Sequence, residues 1–207
     1  MNQLFYEVTS KQLLNIIKSI SENIRFKQFR LCGGTALALQ TGHRISVDAD
    51  FVSDKLLNSS EIIAAVNSAF TNVTDITTGV HGVFLKINNI KVDFLSWNIP
   101  FMHEPIIIDD VRMADVEEII AMKLFAIMQR GEKKDYMDIV SLLSKYDLTH
   151  MLEMYKSRYI GSDELPVLRC LASFSDIENQ PNPVMLNGLT WEESKNILTK
   201  KISSIIF

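Results

Sequence analysis

The sequence has 207 residues, of which 47% are hydrophobic and 22% are charged, and its formal net charge at pH 7 is −4. This composition is typical of a globular protein and excludes a disordered chain. The acidic balance excludes a uniformly basic coat for nucleic acid, but it allows a local basic patch, because electrostatic steering depends on where the charges lie.

Three features of the chain predict a cytoplasmic protein without a membrane segment. The two cysteines, Cys32 and Cys170, are far apart in apolar surroundings, as expected of free thiols in a reducing compartment. The N-terminal stretch MNQLFYEVTSKQLL lacks the cationic start and apolar run of a signal peptide. No uninterrupted apolar stretch approaches the length that a membrane span requires.

Helices and strands alternate in the first half of the chain. The segment SKQLLNIIKSISENI carries apolar residues at helical spacing, with Ser10 as its N-cap. Asn88-Asn89 separates two β-rich runs and predicts a two-residue hairpin turn. The predicted helices span residues 10–24, 35–40 and 59–70, and the predicted strands span residues 29–32, 45–51, 83–87 and 90–95.

After about residue 111 the pattern predicts helices only. These helices span residues 113–129, 133–145, 149–158, 163–173 and 190–204. The last begins with a capping box formed by Thr190 and Glu193. The sequence therefore predicts an α+β protein, with a mixed β-sheet and helices over residues 1–110 and an α-helical domain over residues 111–207 packed against it.

Two aspartates interrupt the predicted strand at residues 45–51. Because residues i and i+2 of a strand point to the same side, Asp48 and Asp50 project together. Two carboxylates held this close repel each other unless a cation lies between them, and oxygen ligands of this kind suit Mg²⁺. An isolated D-x-D pair can also lie on a solvated surface strand. Nucleotide-sugar glycosyltransferases use the same pair, so the D-x-D pair alone does not identify the reaction.

Two further features favour a metal–triphosphate site. Asp93 lies on the second strand of the predicted hairpin, where it can line up beside Asp48 and Asp50 as a third acid. Gly33-Gly34-Thr35 connects a predicted strand to a predicted helix. Glycines let the backbone approach a phosphate, and a helix N-terminus offers free N–H groups, although a Gly-Gly pair at a strand end is otherwise most often a tight turn.

These motifs together resemble the AbiEii/AbiGii-type nucleotidyltransferase toxin family. The resemblance is carried by GGTALAL, HRISVDADF, KVDF and EEIIAMKLFAIMQRGEKKDYMDI, and it covers residues of about 30 to 145. It implies a nucleotidyltransferase-type mixed β-sheet followed by a helical half. One departure is Lys133-Lys134-Asp135, where the family pattern has an arginine shortly before the aspartate, so bidentate contacts of a guanidinium are lost there.

Lys123 interrupts an apolar stripe on the predicted helix 113–129. Val116, Ile120 and Ile127 lie on the same line of that helix. A lysine can pack its stem in such a stripe and extend its ammonium to water. The family resemblance favours the alternative, in which Lys123 binds the triphosphate and acts as a catalytic residue.

Three other residues are candidates for nucleotide binding. Arg130 can supply a second phosphate contact or interact with the dipole at a helix C-terminus. Asp135 matches an acid of the family, where it either orients Lys123 or the metal shell or caps its own helix. Arg44, which precedes the D-x-D pair, either touches phosphate or fixes its loop.

The resemblance implies a nucleotidyltransferase that uses Mg²⁺ or Mn²⁺ and moves a nucleoside monophosphate from an NTP to an acceptor hydroxyl. It also implies RNA, especially tRNA, as the acceptor, and a toxin with a cognate antitoxin. The best local cluster of basic residues for RNA comprises Lys133, Lys134, Lys156 and Arg158. Two alternatives stay open: a non-catalytic nucleotide- or partner-binding module on the same fold, and a transferase that modifies a protein hydroxyl.

Overall fold

The computed structural model describes residues 3–206, which divide into two units. The first unit comprises the described residues up to Thr41 and the segment Ser46–Asp115. Its elements are α1 (Lys11–Glu22), β1 (Arg30–Cys32), α2 (Gly33–Thr41), β2 (Ala49–Ser53), α3 (Ser59–Ala69), β3 (Val73–Gly79), β4 (Gly82–Ile87), β5 (Ile90–Ser96), β6 (Ile106–Ile108) and β7 (Val111–Met113).

The first unit is built on one mixed sheet of seven strands in the order β3-β4-β5-β2-β1-β7-β6. The pairs β2–β5 and β1–β7 are parallel, and the other neighbouring pairs are antiparallel. Parallel neighbours need long connections, and here α3, β3 and β4 separate β2 from β5 along the chain. The predicted α+β class with a mixed sheet is confirmed.

Four aromatic rings pack on one face of the centre of the sheet. The ring of Phe94 on β5 is stacked on Phe51 and on Phe26, with centroid separations of 5.6 and 5.3 Å, and it meets Phe29 edge-on at 5.1 Å. All four side chains are almost completely buried. Because side chains alternate along a strand, Asp50 and Asp93, the neighbours of Phe51 and Phe94, point to the opposite face.

Local signals placed several elements correctly. Ser10 caps α1 by accepting a hydrogen bond from the N–H of Leu13 at 3.1 Å. Asn88 and Asn89 both have positive φ, as a tight turn between β4 and β5 requires.

The prediction of a strand from residue 45 was wrong at its start, since β2 begins at Ala49. The segment before it pairs elsewhere: Arg44 forms an antiparallel bridge with Met185, and Ile45 donates its N–H to Val184 O at 2.9 Å. Three strands were not predicted. β3 is largely exposed and polar, and β6 and β7 have three residues each, so none carries a clear hydrophobic period.

The second unit comprises Gly42–Ile45 and the described residues from Val116 onward. Its helices are α4 (Val116–Gln129), α5 (Lys133–Leu142), α6 (Leu148–Arg158), α7 (Leu165–Leu171) and α8 (Trp191–Ile206). The predicted capping box is present, because Thr190 N–H donates to Glu193 Oε2 at 2.9 Å and Glu193 N–H donates to Thr190 Oγ1 at 3.2 Å.

The division between the units differs from the predicted one in two places. The predicted boundary at residues 110 and 111 precedes β7, whereas the chain divides after Asp115, and residues 42–45 group with the helices. Along residues 3–206, none of the helices combines the length and the apolar character that crossing a lipid bilayer would demand.

Candidate active site

The register of the sheet places two of the three predicted acids side by side. Asp50 on β2 pairs with Asp93 on the parallel strand β5, and Cys32 on β1 pairs with Asp50 from the other side. Neighbouring strands lie about 4.8 Å apart, so paired side chains on one face are adjacent. Asp50 and Asp93 therefore form the centre of an acidic cluster on the face opposite the four phenylalanines.

Gly33 makes room for the carboxylate of Asp50. A Cβ atom added at Gly33 would lie 2.3 Å from Asp50 Oδ2, far inside van der Waals contact, and the φ of Gly33 is +65°. Only glycine meets both conditions without strain. The first residue of α2 therefore touches the acidic cluster, and the carboxylate lies at the positive end of that helix.

Asp93 is buried but incompletely bonded. The residue is 4% exposed, and its Oδ1 has no hydrogen-bond partner among the residues that the structure describes. Its other oxygen, Oδ2, lies 2.8 Å from Lys91 Nζ. An unpartnered buried carboxylate oxygen is costly unless a ligand or ion completes its contacts.

Lys91 is a residue of this cluster that sequence reasoning missed. Burial lowers the pKa of Lys91, but the hydrogen bond and the charge of Asp93, together with the charges of Asp50 and Asp48, outweigh burial and raise that pKa. The signal was present in the sequence, because Lys91 lies two residues from Asp93 in a strand and shares its face.

Asp48 lies just before β2, and its backbone is held by Thr35. The buried Thr35 hydroxyl contacts the carbonyl oxygen of Asp48 and the hydroxyl of Ser46. Thr35 was predicted to cradle a phosphate, but its hydroxyl is committed to this segment. Gly34 is also buried, in the first turn of α2. Backbone N–H groups in the first turn of a helix have no partner within that helix. The groups of Gly34 and Thr35 that suit a phosphate are therefore their backbone N–H groups.

The three aspartates offer the right donor chemistry for a hard divalent cation, and the unpartnered Oδ1 of Asp93 is a ligand position of the kind a cation would complete. The three side chains are not arranged around one point in the cation-free protein. Within residues 3–206 no three His, Cys, Asp or Glu side chains are grouped closely enough to hold a metal ion. The donor set therefore fits a cation, and cation binding here stays a prediction.

A second charged cluster lies within the helical unit, around Lys123 on α4. Lys123 is 5% exposed, and its Nζ lies 2.6 Å from Asp135 Oδ1 and 2.6 Å from Asp138 Oδ2. The alternative of a snorkelling lysine is wrong, because the ammonium is buried between two carboxylates of α5 rather than exposed to water.

The charges in this cluster support one another. Burial lowers the pKa of Lys123, but attraction by Asp135 and Asp138 outweighs it and raises that pKa. Burial raises the pKa of Asp138, but Lys123 and Arg44 hold it well below its usual range. Both groups are therefore ionised at neutral pH, as paired buried charges must be.

Asp138 is the hub of the cluster and was missed as a site residue. Arg44 donates to both of its oxygens, from Nε at 2.6 Å and from Nη2 at 3.0 Å, and His43 Nε2 lies 2.7 Å from Oδ1. Of the two roles predicted for Arg44, the structure places its buried guanidinium in the one that fixes the loop. Lys123 and Arg44, both predicted to contact phosphate, therefore direct their charged groups to carboxylates of α5.

Arg130 and Asp135 are close to each other at the edge of the cluster. The exposed Arg130 Nε lies 3.8 Å from Asp135 Oδ2 and 3.4 Å from Glu132 Oε1. Asp135 lies in the first turn of α5, and its carboxylate is bound to Lys123, as expected of a residue that orients that lysine.

The basic cluster predicted for RNA is not a free surface patch. Lys133 is buried, with its Nζ donating to Glu178 O at 2.8 Å, and Arg158 is buried against Glu118. Lys134 and Lys156 are each paired with a glutamate. The prediction of a basic surface is wrong for Lys133 and Arg158, because sequence proximity does not report which basic side chains the helices bury.

Comparison with known proteins gives the same picture. The family model described as "Nucleotidyl transferase AbiEii toxin, Type IV TA system" matches residues 15–200, beyond the stretch in which the motifs are recognisable. An uncharacterized protein of Aquifex aeolicus is 28% identical over 184 residues, which are 86% of this chain and 88% of that protein.

Two solved structures support the fold. MenT4, a nucleotidyltransferase toxin of Mycobacterium tuberculosis, has a TM-score of 0.59 and 13% identity, over 92% of this chain and 83% of its own. JHP933 of Helicobacter pylori has a TM-score of 0.53 and 21% identity, over 95% of this chain and 93% of its own. The predicted nucleotidyltransferase-type fold and the family resemblance are both confirmed: the chain belongs to the AbiEii nucleotidyl transferase toxin family.

Proposed function

We propose that this chain transfers a nucleoside monophosphate from an NTP to an acceptor hydroxyl, with Asp48, Asp50 and Asp93 as the acids of its active site. One observation carries the proposal. The pairing of β2 with β5 sets Asp50, which lies against the start of α2, beside a buried Asp93 whose Oδ1 has no hydrogen-bond partner within residues 3–206.

The transfer forms one bond and breaks one. The acceptor oxygen bonds to the α-phosphorus of the NTP, the bond from that phosphorus to the bridging oxygen of the β-phosphate breaks, and pyrophosphate leaves. The hydroxyl proton passes to the carboxylate of Asp93 in this scheme. A divalent cation, Mg²⁺ or Mn²⁺, held by the three carboxylates would neutralise charge on the phosphates and activate the hydroxyl.

The remaining residues of the first unit orient these acids. Gly33 lets the carboxylate of Asp50 lie against the start of α2. Thr35 holds the backbone of Asp48 in place. The N–H groups of Gly34 and Thr35 at the helix N-terminus bind the departing phosphates, where the helix dipole favours negative charge. Catalysis in this scheme consists of positioning and charge neutralisation.

We propose RNA, in particular tRNA, as the acceptor, and a cognate antitoxin as a partner. Support comes from membership of a toxin family of toxin–antitoxin systems. An RNA surface cannot use the buried Lys133 and Arg158, whereas the partly exposed Lys134 and the exposed Lys156 form only surface ion pairs with glutamates.

The test offers each of four α-³²P-labelled NTPs to the purified protein, with Mg²⁺ or Mn²⁺ and a cell extract, and then separates labelled RNA from labelled protein. We expect label in RNA, strongest with one NTP. Asp48→Asn combined with Asp50→Asn should abolish labelling. Asp75→Asn is the matched control, because Asp75 is an exposed acid of the same sheet that pairs with Lys86 at 2.7 Å.

Each alternative has its own outcome. Label in protein rather than RNA would identify a transferase that acts on a protein hydroxyl. Nucleotide binding without transfer to either class would identify a non-catalytic module. Activity that survives in the Asp48/Asp50 double variant would overturn the assignment of the acidic cluster.

A further inference from the structure

Lys91 and Asp93 form an ion pair that differs from the ordinary surface pairs of the sheet. The Lys91 side chain is 57% exposed, whereas that of Asp93 is 6% exposed. On the neighbouring strands, Lys86 and Asp75 also form a pair, at 2.7 Å, but both of those side chains are largely exposed. Lys91 therefore pairs an exposed ammonium with a buried carboxylate, whereas Lys86 and Asp75 form a pair in which both groups are solvated.

Asp93 needs a cation for a physical reason. A buried carboxylate without a counter-charge is strongly disfavoured, and here a second carboxylate, Asp50, is its direct neighbour across the strands. Lys91 supplies that charge to Oδ2 at 2.8 Å, whereas none of the described residues forms a hydrogen bond with Oδ1. The ammonium thus contacts one oxygen of the Asp93 carboxylate, and the other oxygen can still accept a ligand.

We propose that Lys91 is the built-in counter-ion of the acidic cluster, and that its ammonium leaves Asp93 Oδ2 when a divalent cation binds. This inference rests on the proposed function, in which Asp93 is a cation ligand. The long stem of Lys91 makes the exchange feasible, because the ammonium can move into solvent without moving β5.

The exchange has a direct consequence for affinity. A cation bound to Asp93 competes with the ammonium for one carboxylate, and the two positive charges repel each other, so Lys91 weakens cation binding and stabilises the cation-free protein. Lys91→Met removes the charge and keeps the apolar stem. We expect Lys91→Met to bind a divalent cation on the order of tenfold more tightly, since a unit charge a few ångströms away shifts affinity by about that factor near a protein surface.

The experiment titrates the full chain with Mn²⁺ alone and measures free Mn²⁺ by its electron paramagnetic resonance signal, so that no activity is needed. Lys91→Gln is a second variant, which keeps a neutral hydrogen-bond donor in case Lys91→Met folds poorly. Lys86→Met is the matched control on the adjacent strand, and Asp93→Asn removes the ligand itself.

We expect tighter Mn²⁺ binding in both Lys91 variants, wild-type affinity in Lys86→Met, and weak or absent binding in Asp93→Asn. Wild-type affinity in the Lys91 variants, with binding lost in Asp93→Asn, would overturn the role of Lys91 and leave the proposed cation site standing. Binding that is unaffected by Asp93→Asn, or absent from the wild type, would overturn both.

Discussion

Replacing Lys123 by methionine should destabilise the helical unit. Methionine fits the apolar stripe of α4 and keeps most of the stem, so the change removes little more than the ammonium. That ammonium lies 2.6 Å from Asp135 and 2.6 Å from Asp138, both completely buried. The snorkelling alternative, in which the ammonium reaches water, would leave the stability of Lys123→Met unchanged, whereas the buried ion pairs predict a loss.

The magnitude follows from what each carboxylate retains. Removing one partner of a buried ion pair costs about 3–5 kcal/mol, because an uncompensated charge is left behind. Asp138 keeps Arg44 and His43, whereas Asp135 is left with the exposed Arg130, whose Nε is 3.8 Å away. Most of the cost therefore falls on Asp135, and we expect a loss of about 3–4 kcal/mol in the free energy of unfolding.

Urea denaturation, monitored by tryptophan fluorescence, measures this loss of stability in the helical unit. Of the two tryptophans, Trp97 belongs to the first unit and the largely buried Trp191 begins α8 in the second. In a Trp97→Phe background the fluorescence of Trp191 reports the helical unit. At a urea m-value of about 2 kcal/mol/M, the midpoint should fall by about 1.5–2 M.

The double variant Lys123→Met with Asp135→Asn is the internal control. It removes the stranded charge, so it should be more stable than Lys123→Met alone by about 1–2 kcal/mol. A loss below about 1 kcal/mol in Lys123→Met, or simple additivity in the double variant, would refute the buried ion pair.

Two further predictions concern Gly33 and Asp138. Gly33→Ala should abolish nucleotide transfer and cost about 1–2 kcal/mol of stability, because alanine is strained at positive φ and its Cβ displaces Asp50 Oδ2. Gly161 is the control, with φ of +83° and no atom within 4 Å of an added Cβ, so Gly161→Ala should show the strain without loss of transfer. Asp138→Asn should lower the melting temperature at both pH 7 and pH 5. Because the pKa of Asp138 is depressed on folding, its stabilisation is present above the unfolded value of about 4 and is lost only as the pH falls further, so a difference that shrinks already between pH 7 and pH 5 would contradict its ionised role.

The parts of the fold that sequence reasoning placed well are those with local chemical signals. Ser10 and the Thr190–Glu193 pair cap their helices as predicted, and Asn88-Asn89 turns the hairpin that carries Asp93. Each of these depends on residues within four positions of one another. The alignment of Asp50 with Asp93 needed only one further assumption, that their strands are neighbours.

The parts that sequence reasoning missed depend on distant partners. The spacing of Ile45 to Phe51 predicts one strand, but residues 44 and 45 bond to residues 184 and 185, which no local pattern announces. Asp138 looks like a surface acid one turn from Asp135 until Arg44 is brought to it. Lys133 and Arg158 were predicted to belong to a basic cluster for RNA, although the helices bury both.

The membership of Gly42–Ile45 in the helical unit has a consequence for biosynthesis. Arg44 leaves the ribosome long before Asp138, from which it is separated by 94 positions, and its bridge partner Met185 emerges later still. The helical unit therefore cannot complete its buried charge cluster during synthesis until most of the chain has been made. Contacts so distant in sequence close slowly, so the nascent chain passes through a stage in which Arg44 is present without its counter-charge. The same topology means that α4 to α8, expressed alone, would carry Asp138 without the guanidinium of Arg44, so residues 42–45 are needed to complete the charge cluster of the helical unit.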